Sequence, residues 1–318
     1  MLVAMEHTIL VLTAAMPVYL IVALGPLLRK TKVLTPEMDK GVMAMAVHLF
    51  YPCLILDKML GVEILRDAGV VFSSAGIGFS MIVLAMGLAF VVARLLGFEK
   101  GGGLRTFSAS CGVQNYGFIA IPLMVYIFPD DDASLAVLFT HNLGVELALW
   151  TVGIMLISGN RSPSWRSFLK GPIIAVVLGL CLLQTGTDYL IPEVGHRVLE
   201  MLGVCAVPVS LLLVGTTMYD LASDVKLDWK VSTGGVLVRL AMVPVVILCL
   251  AKFLPIAPEL RQVLVIQAAM PAGVFPIVLS RHYGGRADVA MQVVVATTLV
   301  SLVTMPLIVS LGMAWVGL

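Results

Sequence analysis

From residue 8 to residue 316 the chain is a succession of apolar runs separated by short polar connections. A helix crosses the hydrocarbon of a bilayer with about 20 residues. Polar punctuation divides the sequence into ten segments of that order: 8–28, 41–57, 69–96, 104–128, 133–157, 169–190, 196–220, 230–253, 259–281 and 287–316. No soluble domain fits between them. Of the 318 residues 60% are hydrophobic and only 12% are charged, whereas a soluble domain has about 25% charged residues. A globule of this size cannot hide so much apolar surface. The expected fold class is therefore an all-α membrane protein with ten transmembrane helices and the lipid bilayer as its surroundings. Met1 to Met16 lacks a basic n-region and runs into further apolar chain, so it reads as part of the first span rather than a signal peptide.

Lys and Arg are enriched in cytoplasmic loops. The loops after spans one, three, five, seven and nine hold 14 of them: Arg29, Lys30, Lys32, Lys40, Arg94, Lys100, Arg105, Arg161, Arg166, Lys170, Lys226, Lys230, Arg281 and Arg286. The opposite side holds five: Lys58, Arg66, Arg197, Lys252 and Arg261. Both termini are expected outside, in a plasma (inner) membrane, with the acidic turn Pro129 to Asp132 facing outward.

Three prolines, Pro17, Pro52 and Pro122, recur as Pro172, Pro208 and Pro276, at offsets of 155, 156 and 154 residues. PCLIL at Pro52 has a weak echo in PVSLLL at Pro208. Residues 1–158 and 159–318 then read as two five-helix repeats. Five is odd, so the second copy enters the membrane from the opposite face. Inverted repeats of this kind mark secondary transporters, whose substrate site lies near the midplane where the repeats meet.

Span four carries GVQNYGFIAIP and span nine carries MPAGVFP. Proline removes a backbone donor, and glycine lets the chain leave helical geometry. Unpaired backbone in lipid survives only where protein or a water-filled cavity surrounds it. Two interruptions at matching places predict discontinuous helices meeting at a site, with half-helix N-termini suited to an anion. The plainer reading, two proline kinks in packed helices, is weakened by the match and by Gln114 and Asn115 beside the first break. The candidate substrate residues are Gln114, Asn115, Gly117, Pro122, Pro271, Gly273 and Pro276, together with Asn142 and Glu146, which lie one turn apart on one face of span five.

Ionisable groups within spans are expensive and usually functional. Glu146 is a candidate for proton coupling or, in the plainer reading, a carboxyl bonded to a neighbouring helix. Histidine changes charge near neutral pH, which makes His48 a second coupling candidate or a packed neutral ring. Arg239, inside span eight, is a candidate for snorkelling, for pairing with Glu146 or for attracting a carboxylate. Five cysteines without metal-ligand spacing read as packing residues. FEKGGGLR lacks the G-K-[ST] ending of a phosphate loop. Neither an enzyme nor an ATP-driven pump is expected, no cofactor or metal is called for, and a net charge of +1 offers nothing to nucleic acid. Transport would run on a gradient, of H+ or Na+ if coupled.

The segment NYGFIAIPL, Asn115 to Leu123, resembles the N-x-G-F-x-G-x-P-L signature of the auxin efflux carrier family, with Ala120 in place of one glycine. MPVYLIVALGPLLRKTKVLTPE is similar to the family's first helix and loop, YPCLIL to its second-helix motif and VPVSLLLVGTTM to its seventh. AMPAGVFPIVLSRHYGG and TTLVSLVTMPL are similar to its last two helices, so the resemblance covers nearly the whole chain in order. That family includes plant auxin exporters and bacterial malate and malonate carriers. The resemblance implies a ten-helix transporter of the sodium/proton-antiporter type, in which helices four and nine cross. It implies a transport domain of helices 3–5 and 8–10 that moves as an elevator. It also implies a scaffold of helices 1, 2, 6 and 7, which offers a homodimer contact. Asn115 and Pro122 match the family's first crossover, and Pro271, Gly273 and Pro276 its second. His48 falls where plant members carry a lysine, and Glu146 where they carry a glutamine beside the substrate. The expected function is secondary or facilitative transport of a small organic anion, a mono- or dicarboxylate. The alternatives are a sodium- or proton-coupled carrier of the same fold with another substrate, and a non-transporting membrane sensor.

Overall fold

The computed structural model describes residues 2–99, 101–129, 131–159, 170–224 and 228–318. Lys100, Asp130, Arg161, Arg166 and Lys226, used above to assign loops, lie outside the described residues. The described residues are helical almost throughout. Seven helices are long and apolar enough to cross a membrane: α1 (Leu2–Lys30), α2 (Pro36–Met59), α3 (Ala68–Leu95), α6 (Asp132–Ser158), α8 (Glu193–Ser223), α9 (Trp229–Phe253) and α12 (Ala287–Val316). Between them lie the shorter α7 (Gly171–Thr185) and two interrupted pairs, α4 (Leu104–Gly112) with α5 (Ala120–Ile127), and α10 (Pro258–Ala269) with α11 (Phe275–Tyr283).

Part of the polar punctuation in the sequence is helix capping. Asp67 accepts from the Gly69 amide at 2.7 Å, Asp131 from Ser134 at 2.9 Å and Asp228 from Lys230 at 2.8 Å. Each satisfies an orphan donor at a helix start. Prolines open α2, α7, α10 and α11, where a missing N–H has no partner to lose.

Three long helices carry one widened turn each, at Ala46–Phe50 in α2, Leu149–Gly153 in α6 and Val238–Met242 in α9. In these turns the amides of Tyr51, Ile154 and Val243 bond five residues back, to Ala46, Leu149 and Val238. Pro52 and Pro244 account for two of them. Neither can donate to the carbonyl four residues before it, and the extra residue absorbs the lost bond. The third has no proline, and nothing in the sequence marks it.

Close packing rests on small residues at the crossings. In α6, a Cβ on Gly144 would lie 2.7 Å from the Phe79 amide of α3, with the Ala75 carbonyl closer still. In α1, a Cβ on Gly25 would lie 2.5 Å from the Gly215 carbonyl carbon of α8. One core joins α1, α2, α7 and α8 to the buried ends of α5, α6, α10 and α12. A second joins α3, α4, α9, α10 and α12, and a third packs α6 against α3 and α4.

The sixth segment differs from expectation. It begins at Gly171 and is only 15 residues long. A Cβ on Gly171 would lie 2.5 Å from the Val47 carbonyl and 3.0 Å from Pro52. Thus α7 starts beside the middle of α2 rather than at its end, and Lys170 is carried in with it.

Candidate functional site

Chain leaves helical geometry between α4 and α5 over residues 113–119, and between α10 and α11 over residues 270–274. The two unwound stretches lie against each other as a single antiparallel bridge between Gln114 and Ala272. The Asn115 amide donates to the Pro271 carbonyl, and the Gly273 amide to the Val113 carbonyl, both at 2.8 Å. Buried backbone groups must be paired, and further partners come from neighbouring helices. Thr297 of α12 accepts from the Ala272 amide at 3.1 Å. Asn142 of α6 donates to the Tyr116 carbonyl at 3.1 Å. Arg239 of α9 donates to the carbonyls of Met270 at 2.8 Å and Gln267 at 3.1 Å.

These contacts refine the roles expected for the prolines and glycines. Pro122 and Pro276 are not at the breaks; they lie in the first turns of α5 and α11, just after them. Neither Gly117 nor Gly273 has a positive φ. Gly273 is required by proximity, since its Cβ would lie 2.8 Å from the Gln114 carbonyl oxygen. A Cβ on Gly117 would meet nothing within 4 Å. Pro271, with no N–H, contributes only its carbonyl to the bridge.

Beside the bridge is a cavity of about 380 Å³. Of the candidate residues, Gln114, Asn115, Gly117, Asn142, Glu146, His48 and Gly273 line it, whereas Pro122, Pro271, Pro276 and Arg239 do not. Arg239 is fully buried behind the bridge. It is neither paired with Glu146 nor among the residues that line the cavity; its Nε and one terminal nitrogen donate to the carbonyls where α10 ends. A cation at a helix C-terminus is favoured by the helix dipole. Gln114 donates to Gln267 at 3.2 Å, and Gln267 to Asn142 at 3.1 Å. This amide chain ties the first unwound stretch to α10 and α6.

The cavity wall is mostly apolar and aromatic, and includes Tyr51, Phe118, Phe139 and Phe275. Tyr116 stacks on Phe275 at 6.1 Å, and Trp150 meets the same ring edge-on at 6.3 Å. Glu146 accepts hydrogen bonds from the Tyr116 hydroxyl and the Trp150 indole N–H. Lys170 completes the cluster. Its Nζ is 3.8 Å from the second Glu146 oxygen, 3.8 Å from the Trp150 ring centroid and 4.7 Å from that of Phe275.

In the sequence Lys170 reads only as one of the loop charges; the structure shows that it also lines the cavity. A lysine at a predicted helix start carries no mark to separate an orienting charge from a buried one. Gln267 and Thr297 were also passed over, since single polar residues in apolar helices have no motif.

A family profile described as "Membrane transport protein" matches residues 10–165 and again residues 159–309. No curated protein matches the chain significantly.

Proposed function

The chain belongs to this family of membrane transport proteins, the auxin efflux carrier type, and from that premise we propose that it carries a small organic anion through the cavity beside the crossing. The single observation that supports this most is the pairing of one ammonium group, Lys170, with an aromatic wall in the same chamber. Among the described residues Lys170 is the one lysine or arginine that lines the cavity; one such cation suits one carboxylate, and the rings suit an apolar body. We therefore place a monocarboxylate ahead of a dicarboxylate, which would leave its second charge without a partner.

The proposed architecture is ten crossings in two inverted repeats. The seven long helices, α7 and the two interrupted pairs supply that number, and the two matches of one family profile support the division near residue 159. In the proposed mechanism, helices 3–5 and 8–10 move as one block against a scaffold of helices 1, 2, 6 and 7. The cavity accords with this, because His48 and Tyr51 of α2 line it together with Asn115 and Glu146. Glu146 and His48 are the candidate groups for proton coupling. Any homodimer would form through the scaffold.

Counterflow of labelled carboxylates in proteoliposomes tests the carrier reading directly, and a sensor would give none. Asn115→Ala should reduce flux at least about 10-fold, with an unchanged melting profile, because the side chain lines the cavity at the bridge while the bond to Pro271 uses only the backbone. Undiminished flux would remove Asn115 from the site. Repeating the assay with a sodium gradient, and then with a proton uncoupler, assigns the coupling ion. The orientation has its own measurement. Cysteines placed at either end of the chain should react with an impermeant reagent from outside the cell, and protection of both would reverse the proposed topology.

A further inference from the structure

The charge pair in the cavity is built unlike a packing salt bridge. Its ammonium and carboxylate stand 3.8 Å apart, beyond hydrogen-bond distance, with side-chain exposures of 25% for Lys170 and 13% for Glu146. Glu146 is satisfied without the lysine, because the Tyr116 hydroxyl and the Trp150 indole each donate to one of its oxygens. Lys170 is held mainly by ring faces, Trp150 on one contact and Phe275 on another. Such faces favour a cation but leave its N–H donors free to bond elsewhere. Both groups line the same cavity as Asn115 and Gln114.

We propose that Lys170 and Glu146 form an exchangeable pair, in which the anionic head of the cargo replaces the Glu146 carboxylate on the Lys170 ammonium. The inference rests on the reading that this chamber carries an anion, and it names the residue that selects for charge. Glu146 keeps Tyr116 and Trp150 as partners when the lysine turns away, so the exchange leaves no bare carboxylate. The cargo's apolar body lies along Phe275, Phe118 and Tyr51. Glu146 competes with every arriving anion, which makes binding reversible where an unopposed buried cation would hold its ligand.

Purified full-length protein titrated calorimetrically with phenylacetate tests the exchange, with phenylacetamide as the neutral isostere and malonate as the doubly charged probe. Wild type should bind phenylacetate well ahead of phenylacetamide. Lys170→Met should lose phenylacetate binding about 10-fold or more, and Lys170→Arg should retain it within a few-fold. Glu146→Gln, whose amide oxygen still accepts from Tyr116 or Trp150, should bind about 10-fold more tightly because the resident competitor is gone. Phenylacetate should also change the fluorescence of Trp150 in wild type and not in Lys170→Met. Equal weakening by Lys170→Met and Glu146→Gln would make the pair structural and overturn the exchange. So would unchanged binding in Lys170→Met. Failure of wild type to bind or counterflow either anion would instead overturn the anion reading, and this inference with it.

Discussion

Gly273→Ala should abolish transport and strongly destabilise the protein, although it adds a single methyl group. The new Cβ would sit 2.8 Å from the Gln114 carbonyl oxygen and 3.2 Å from its carbon. Both are backbone atoms, so no side chain can rotate to make room. The two stretches must separate, and the bonds from Asn115 to Pro271 and from Gly273 to Val113 stretch or break. Leaving a buried donor or acceptor unsatisfied costs about 1–3 kcal/mol per group, and water is not at hand in the bilayer core to replace the lost partner. Breaking even one of these bonds leaves a donor and an acceptor unsatisfied, a loss of roughly 2–6 kcal/mol. Gly117→Ala is the control. It lies in the other unwound stretch but has open space around its Cβ, so its melting midpoint in detergent should match wild type. Equal midpoints for the two variants would show that the bridge does not hold the crossing together.

The second large effect is expected at Arg239. Its guanidinium is completely buried and bonds the Met270 and Gln267 carbonyls, one at the second break and one in the last turn before it. Methionine has similar length and no donors. Arg239→Met therefore leaves the buried Met270 carbonyl without this partner, and the Gln267 carbonyl with only the 3.4 Å bond from the Met270 amide, for a loss of about 1–3 kcal/mol. It also removes the positive charge that favours that helix terminus. Because Arg239 does not line the cavity, any anion binding that survives should keep the wild-type preference for charged over neutral ligand. A melting midpoint within 1–2 °C of wild type would show that the carbonyls find other partners. Loss of charge preference with stability intact would move Arg239 into the site.

Different physical causes made parts of this molecule readable in advance and parts not. The long helices were legible because lipid demands length and apolarity, and because short polar connections divide the apolar runs; that Asp67, Asp131 and Asp228 cap helix starts emerged only from the structure. Both interruptions were legible because glycine and proline sit where an unbroken helix would exclude them. The reason for each was less so. Gly273 serves a close approach, which only the opposing chain reveals, and the two prolines begin the second half-helices. At the site, Asn115, Gln114, Asn142 and Glu146 were marked by polarity inside apolar runs. Lys170 was not, because a charge beside a loop has the same composition whether it faces water or the chamber. Its place depends on α7 starting halfway along α2, a contact fixed by Gly171 and the backbone at Val47.

The paired amides and carbonyls at Asn115, Pro271, Gly273 and Val113 have one more consequence. They are main-chain atoms, so the join they make is indifferent to most of the side chains around it. If the proposed site is the one that takes cargo, Asn115, Tyr116 or Phe275 can be exchanged over evolutionary time, redrawing which cargo is welcomed, without altering the main-chain join that presents them. A chain built in this way can change its clientele while retaining its machinery.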